Sequence, residues 1–275
     1  MMKKFVFALA VLLMPVLAHA QASTAFAGRA SVGVDYKIAK GFHLNVSEEL
    51  RSSDGFSSIG SLRTTVGLSY KPIKYLKLGM GYVNINPYKV NKEITVDDNT
   101  TTYTGFWNPR HRFYFDATGH VNVGDFQFGL KERLQLTHRT GDFNVYQETP
   151  NELALRSRVF VKYRRWKAVE PSVYFEVRTA LNGPWGSYEA TNDDDGKSYN
   201  KYTPAGYTHV YNNRYRGCIK ADWNIGKHHT MAPFVLLDYC SDYEIDTNKK
   251  GTKFYGAQYV DVFRVSLGLG YTFNF

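Results

Sequence analysis

Arg110 and Arg112 stand two residues apart, as do Lys131 and Arg133, Arg156 and Arg158, and Arg214 and Arg216. On an extended chain successive side chains point to opposite faces, so each pair projects from one face of its strand. Arg178 and Arg264 take the same face of two further alternating segments. A guanidinium is neither nucleophile nor base: it stays protonated and presents five donors in a fork that matches carboxylates and other oxyanions. The chemistry open to these residues is ion pairing or anion attraction. Asp116 and Glu176 share their face, with Glu49, Asp222 and Asp238 as further acids and Arg63, Lys77, Lys162, Arg164 and Lys220 as further cations. Either the guanidiniums form a packed network that holds neighbouring strands in register, or they line a narrow passage biased toward anions. Arg133 and Arg158, on adjacent segments and both on that face, are expected to share buried acceptors.

Other chemistry has less support. A hydrolase needs a nucleophile, a base and a group that orients the base. His138, near Ser157, and His209, at the foot of a long connection, stand in no such motif, and His111, His120 and the His228–His229 pair read as strand and turn residues. No catalytic residue, cofactor or metal site is therefore assigned. The stretch Asn192 to Gly196 suggests a calcium loop, but the twelve-residue pattern would begin on Thr191 and end on Tyr202, neither a suitable ligand. Cys218 and Cys240 fall on consecutive segments with matching parity. A disulfide is open to an exported protein, yet a turn centred near residue 226 sets Cys218 opposite residue 234.

Strands must position these side chains. At the chain end Val265, Leu267, Leu269, Tyr271, Phe273 and Phe275 alternate with Ser266, Gly268, Gly270, Thr272 and Asn274, one apolar face and one small or polar face. Similar segments run Gly28 to Ile38 and Phe42 to Arg51, Leu62 to Lys71 and Leu76 to Asn84, and Arg110 to Thr118 and Phe126 to Thr137. Leu153 to Arg165, Pro171 to Leu181, Tyr211 to Trp223, Met231 to Tyr239 and Tyr259 to Phe275 complete the set. Their connections alternate between short ones, near residues 40, 73, 122, 167 and 226, and long ones over 52–60, 86–108, 138–152, 182–209 and 241–257. That rhythm predicts an all-β, transmembrane, antiparallel up-and-down β-barrel, with tight turns at one end, long loops at the other and both termini at the tight-turn end. Eleven segments can be placed; the even numbers usual for bacterial barrels predict twelve strands, with ten as the alternative.

Composition agrees. Aromatics reach 16% while charged residues hold at 21%, a chain apolar on alternate positions rather than in blocks. No run of consecutive lysines or arginines marks a nucleic-acid site, although the formal net charge is +9. Residues 1–20 combine Lys3 and Lys4, an apolar stretch from Phe5 to Leu17 and the small-x-small triplet Ala18-His19-Ala20, the pattern of a cleaved signal peptide. Residues 21–275 then form one barrel domain in the outer membrane of a bacterium. Tyr70, Tyr75, Trp107, Trp166, Trp185, Trp223 and Tyr259 lie near segment ends, where aromatic girdles meet the lipid interface. Glu48 and Glu132 fall on the apolar face, where a β-bulge would turn them inward or a headgroup would receive them.

The strings F-W-N-P-R-H-R-F (Phe106 to Phe113), K-E-R-L-Q-L-T-H-R (Lys131 to Arg139) and L-R-S-R-V-F-V-K-Y (Leu155 to Tyr163) resemble the recurring core of the bacterial barrel family known as domain of unknown function 2490. The first hairpin, the segment Tyr75 to Tyr82 and the terminal G-Y-T-F-N-F are similar too. The resemblance implies an outer-membrane barrel without an assigned activity. Tyr271, Phe273 and Phe275 resemble the signal by which such barrels are recognised for assembly. The partners expected are outer-membrane lipid and the barrel-assembly machinery, with a small anionic solute under the pore reading and no nucleic acid. A structural barrel with an arginine-rich, largely packed lumen is the leading expectation. A narrow anion-favouring pore is its alternative, and an outer-membrane enzyme or loop-mediated binding protein is a more distant one.

Overall fold

A computed structural model describes residues 23–89, 92–96, 99–103, 105–141, 143–192 and 196–275. The proposed signal peptide, residues 1–20, and Asp193 to Asp195 of the calcium-like stretch lie outside the described residues. The first four wall strands are β1 (Ser23–Ala39), β2 (Phe42–Ser53), β3 (Ser58–Ile73) and β4 (Leu76–Lys89). A hairpin of β5 (Lys92–Val96) and β6 (Asn99–Tyr103) and the two-residue β7 (Phe106–Trp107) follow. The wall resumes with β8 (Arg110–Val123), β9 (Phe126–Arg139), β10 (Asn151–Tyr163) and β11 (Val169–Asn192), and ends with β12 (Ser198–Ile225), β13 (His229–Thr247) and β14 (Lys253–Asn274).

These strands form where β-branched and aromatic residues alternate with polar ones, and they stop where a left-handed backbone is required. Gly124 (φ 58) and Gly226 (φ 69) supply it in the turns after β8 and β12, at no side-chain cost. Outward positions carry exposed Val32, Val66, Phe113, Leu130, Val159 and Leu267. On β9 the outward row runs from Phe126 to Leu136, apolar but for Glu132, the length a tilted strand needs to cross a hydrocarbon core. Among the described residues no helix is long and apolar enough to cross a membrane.

The sheet has twelve members, of which eleven close into a barrel and β7 pairs outside it with β4. Each hairpin reverses direction, so the first and eleventh wall strands run the same way. The barrel accordingly closes with a parallel seam, β1 on β14, from Ser23↔Val262 to Asp35↔Asn274. This corrects the expectation that both termini share one end. The Phe275 amide donates to Asp35 O (2.9 Å) at the tight-turn end, whereas β1 starts on the long-connection side of the wall.

Two of the expected long loops are strands. β11 and β12 continue pairing from Ser187↔Thr203 to Asn192↔Ser198, and β13 and β14 pair to Thr247↔Phe254. Stacked rings carry the ladder above the wall: Tyr188 on Phe254 at 4.3 Å and Tyr202 on Phe254 at 5.9 Å between centroids, the kind of aromatic contact that stabilises paired strands. The ladders through Glu48 and Glu132 run without a bulge. Both glutamates therefore stay on the outer face.

Candidate functional site in the barrel lumen

Period-two alternation sends one face of every wall strand inward, and the inward side chains form layers. Nearest the tight turns, Lys162 Nζ lies 3.1 Å from Asp222 Oδ2 and also pairs with Glu170, while Lys220 Nζ lies 2.7 Å from Asp222 Oδ1. Farther in, aromatic rings occupy the space that inward glycines leave. Phe160 lies over Gly129, Phe234 over Gly268, and the Tyr114 hydroxyl over Gly67 and Gly81.

The middle layer is ionic. Asp116 accepts from Arg133 (2.5 Å) and Lys131 (3.0 Å). Glu176 receives Arg156 on one oxygen and Arg158 on the other, each at 2.6 Å, with Arg216 at 3.6 Å. Asp238 receives Arg216 at 2.6 Å and Arg29 at 3.1 Å. Relative exposures are 1% for Asp238, 2% for Glu176 and 4% for Asp116. Two of the guanidiniums also lie over rings, Arg133 at 3.9 Å from the Tyr114 centroid and Arg158 at 4.0 Å from that of Tyr174. Arg133 and Arg158 thus do not share an acceptor. Alternate acids on β8 and β11 each collect their own cations, because a carboxylate reaches directly opposite and diagonal neighbours more readily than a second strand away.

Toward the long connections the balance changes. A cavity of about 470 Å³ is lined by nine arginines and four carboxylates. Arg178 is held by Glu152, and Arg139 by Glu148 at 2.8 Å. Arg112 Nε donates to Thr137 Oγ1 at 2.9 Å. Among the described residues, Arg63, Arg110, Arg112, Arg214 and Arg264 have no carboxylate within 4.0 Å, and Arg63 Nε and Arg214 Nε are buried without an acceptor. Arg264, the ladder partner of Asp238, lies with Arg29 and Arg63 beside a neighbouring cavity of about 270 Å³.

Arg110, Arg112, Arg133, Arg156, Arg158, Arg178, Arg214, Arg216, Arg264, Asp116 and Glu176 all face the interior, divided among the ionic layer, the cavity above it and, for Arg264, the neighbouring cavity. Arg164 does not: it follows the last residue of β10 and is exposed in the turn. Sequence reasoning missed Arg29, Arg51 and Glu152. Parity marked all three, since each stands an even number of positions from an inward residue of its strand. His138 Nδ1 donates to Asn151 Oδ1 (2.8 Å) while Ser157 bonds Glu132, so the two form no dyad. His209 stacks on Trp185 at 4.7 Å. Cys218 and Cys240 are buried free thiols, Cys218 opposite Leu236 and Cys240 opposite Arg214. Among the described residues no group of histidine, cysteine and carboxylate side chains is arranged to hold a metal ion.

Fold and lumen together define a class: a closed β-barrel with an apolar outer wall and an interior of ion-paired arginines. The family model described as "Protein of unknown function (DUF2490)" matches residues 30–193, more than half of the chain, and the chain belongs to that family. The arginine-bearing strings at 106–113, 131–139 and 155–163 lie within the match; the terminal G-Y-T-F-N-F lies beyond it. No curated protein matches the chain.

Proposed function

We propose that this protein is an outer-membrane β-barrel, exported by a signal peptide at residues 1–20 and ending in an assembly signal at Tyr271, Phe273 and Phe275. Its lumen is closed, and its role is structural rather than catalytic or conducting. The outer wall supports insertion, because its apolar rows, interrupted by Glu48, Glu132 and Ser157, would be a large liability in water and are what lipid requires. The observation that carries the closed lumen is the burial of Asp116, Glu176 and Asp238. A continuous water column would hydrate such carboxylates, whereas here guanidiniums satisfy them and exclude solvent.

The test is conductance of refolded protein in a planar bilayer. A closed lumen gives no steady open level. A stable open level with chloride selectivity would replace this reading by the anion pore, which the surplus of unpaired arginines above the ionic layer favours.

A further inference from the structure

Unpaired arginines at the long-connection end are not accounted for by a structural barrel. Arg63 comes from β3 and Arg214 from β12, five strands apart in one direction round the wall and six in the other, so they approach the same cavity from opposite sides. Like charges turned toward one another in a poorly hydrated space are unfavourable. Of the four acids that line the cavity, Glu152 is engaged by Arg178, Glu148 by Arg139 and Asp242 by the Asn213 side-chain amide, and Asp242 and Glu244 stand more than 4.0 Å from Arg63 and Arg214. Arg112 is fixed by Thr137 through Nε, which leaves the terminal nitrogens of its fork uncommitted. Below, Arg216 is clamped to Asp238 and Arg156 to Glu176, and only a smaller space of about 160 Å³ lies among Lys131, Arg133, Arg156, Arg158 and Glu176, so these ion pairs form the floor.

We propose that this cavity binds a small solute carrying at least two phosphate groups. Forked guanidiniums match phosphate oxygens in pairs, and cations on opposite walls need anionic groups at both ends of the ligand. At roughly 30 Å³ per water in the liquid, about 470 Å³ admits a pyrophosphate group with a small organic body. The barrel wall separates the cavity from lipid, so the phosphates arrive on a solute from the long-connection side. The proposal rests on the closed-lumen reading only for its floor; an open lumen would appear as conductance, while failure of the binding site appears as lost affinity.

The test is calorimetric titration of the full mature barrel, refolded in detergent, with inorganic pyrophosphate as the probe and orthophosphate as the comparator. The expected result is a single site that pyrophosphate fills about tenfold or more tightly than orthophosphate. Arg63→Gln and Arg214→Gln each weaken it by about tenfold. Arg165→Gln, whose side chain is 70% exposed in the turn after β10, leaves affinity unchanged. Arg63→Lys and Arg214→Lys keep the charge and lose the fork, and they replace any glutamine variant that does not refold. No binding by a heat-modifiable wild-type barrel would overturn the proposal. So would equal affinity in the Arg63 and Arg214 variants, which would place the phosphate on general surface charge.

Discussion

The Ser157 hydroxyl donates a 2.6 Å hydrogen bond to Glu132 Oε2 across the β9–β10 ladder, on the outer face of the wall. A carboxyl group here meets lipid if the barrel is inserted, and the hydroxyl is the acceptor's local substitute for water. Glu132→Leu is expected to stabilise the barrel in lipid by about 1 kcal/mol, the lower range for an acid removed from a lipid face. Ser157→Ala is expected to cost about 1 kcal/mol, for a buried acceptor left unmet. Urea unfolding from liposomes measures both, and destabilisation by Glu132→Leu would show that this face is not in lipid.

Glu176 holds Arg156, Arg158 and Arg216 at once. Glu176→Gln leaves Arg156 and Arg158 without their anion, while Arg216 keeps Asp238, and a loss of about 3–5 kcal/mol is expected. Arg63→Gln removes a cation that has no carboxylate to lose and relieves repulsion among like charges, so stability should not fall. Equal losses in the two variants would mean that the ionic layer is not what holds the lumen.

Cys218 and Cys240 are offset by four rungs on the β12–β13 ladder, beyond the reach of a disulfide. The folded barrel should show two free thiols that a bulky maleimide cannot reach, with both labelled after unfolding in urea without reductant. A mobility shift on reduction would contradict the β12–β13 register.

Phe275 meets Phe273 at 4.5 Å and Tyr36 across the seam at 5.9 Å between ring centroids. Deleting Phe275, or replacing it and Phe273 by serine, should lower the heat-modifiable fraction recovered from outer membranes. Wild-type recovery of both variants would reduce these rings to lipid-facing filler.

Much of the wall was legible because a period of two declares its own faces. The hairpin Phe126 to Thr137 against Leu153 to Arg165 could be placed within a few residues, and the inward parity of Arg133, Arg156 and Arg158 came with it. Pairing partners were not legible: Arg133 belongs to Asp116 and Arg158 to Glu176 because of inter-strand register, which a single strand does not encode. The extensions of β11 to β14 resembled loops since their polar composition hides the rings Tyr188, Tyr202 and Phe254, which meet only after pairing. Eleven segments were visible, but a prior for even numbers argued against closing on them.

The parallel seam constrains how this polypeptide can be re-cut. In an even barrel the two ends emerge side by side, and a short linker makes a circular permutant. Here Ser23 is level with Val262 and the chain leaves at Asn274 and Phe275, so a linker must climb the wall from Asn274 back to Val262, about 40 Å at roughly 3.3 Å per residue. Inside the barrel it would displace the ion pairs; outside, in an inserted barrel as proposed, it would lie in lipid with its amides unpaired. Epitope tags fused to the two termini should therefore report opposite sides of the barrel.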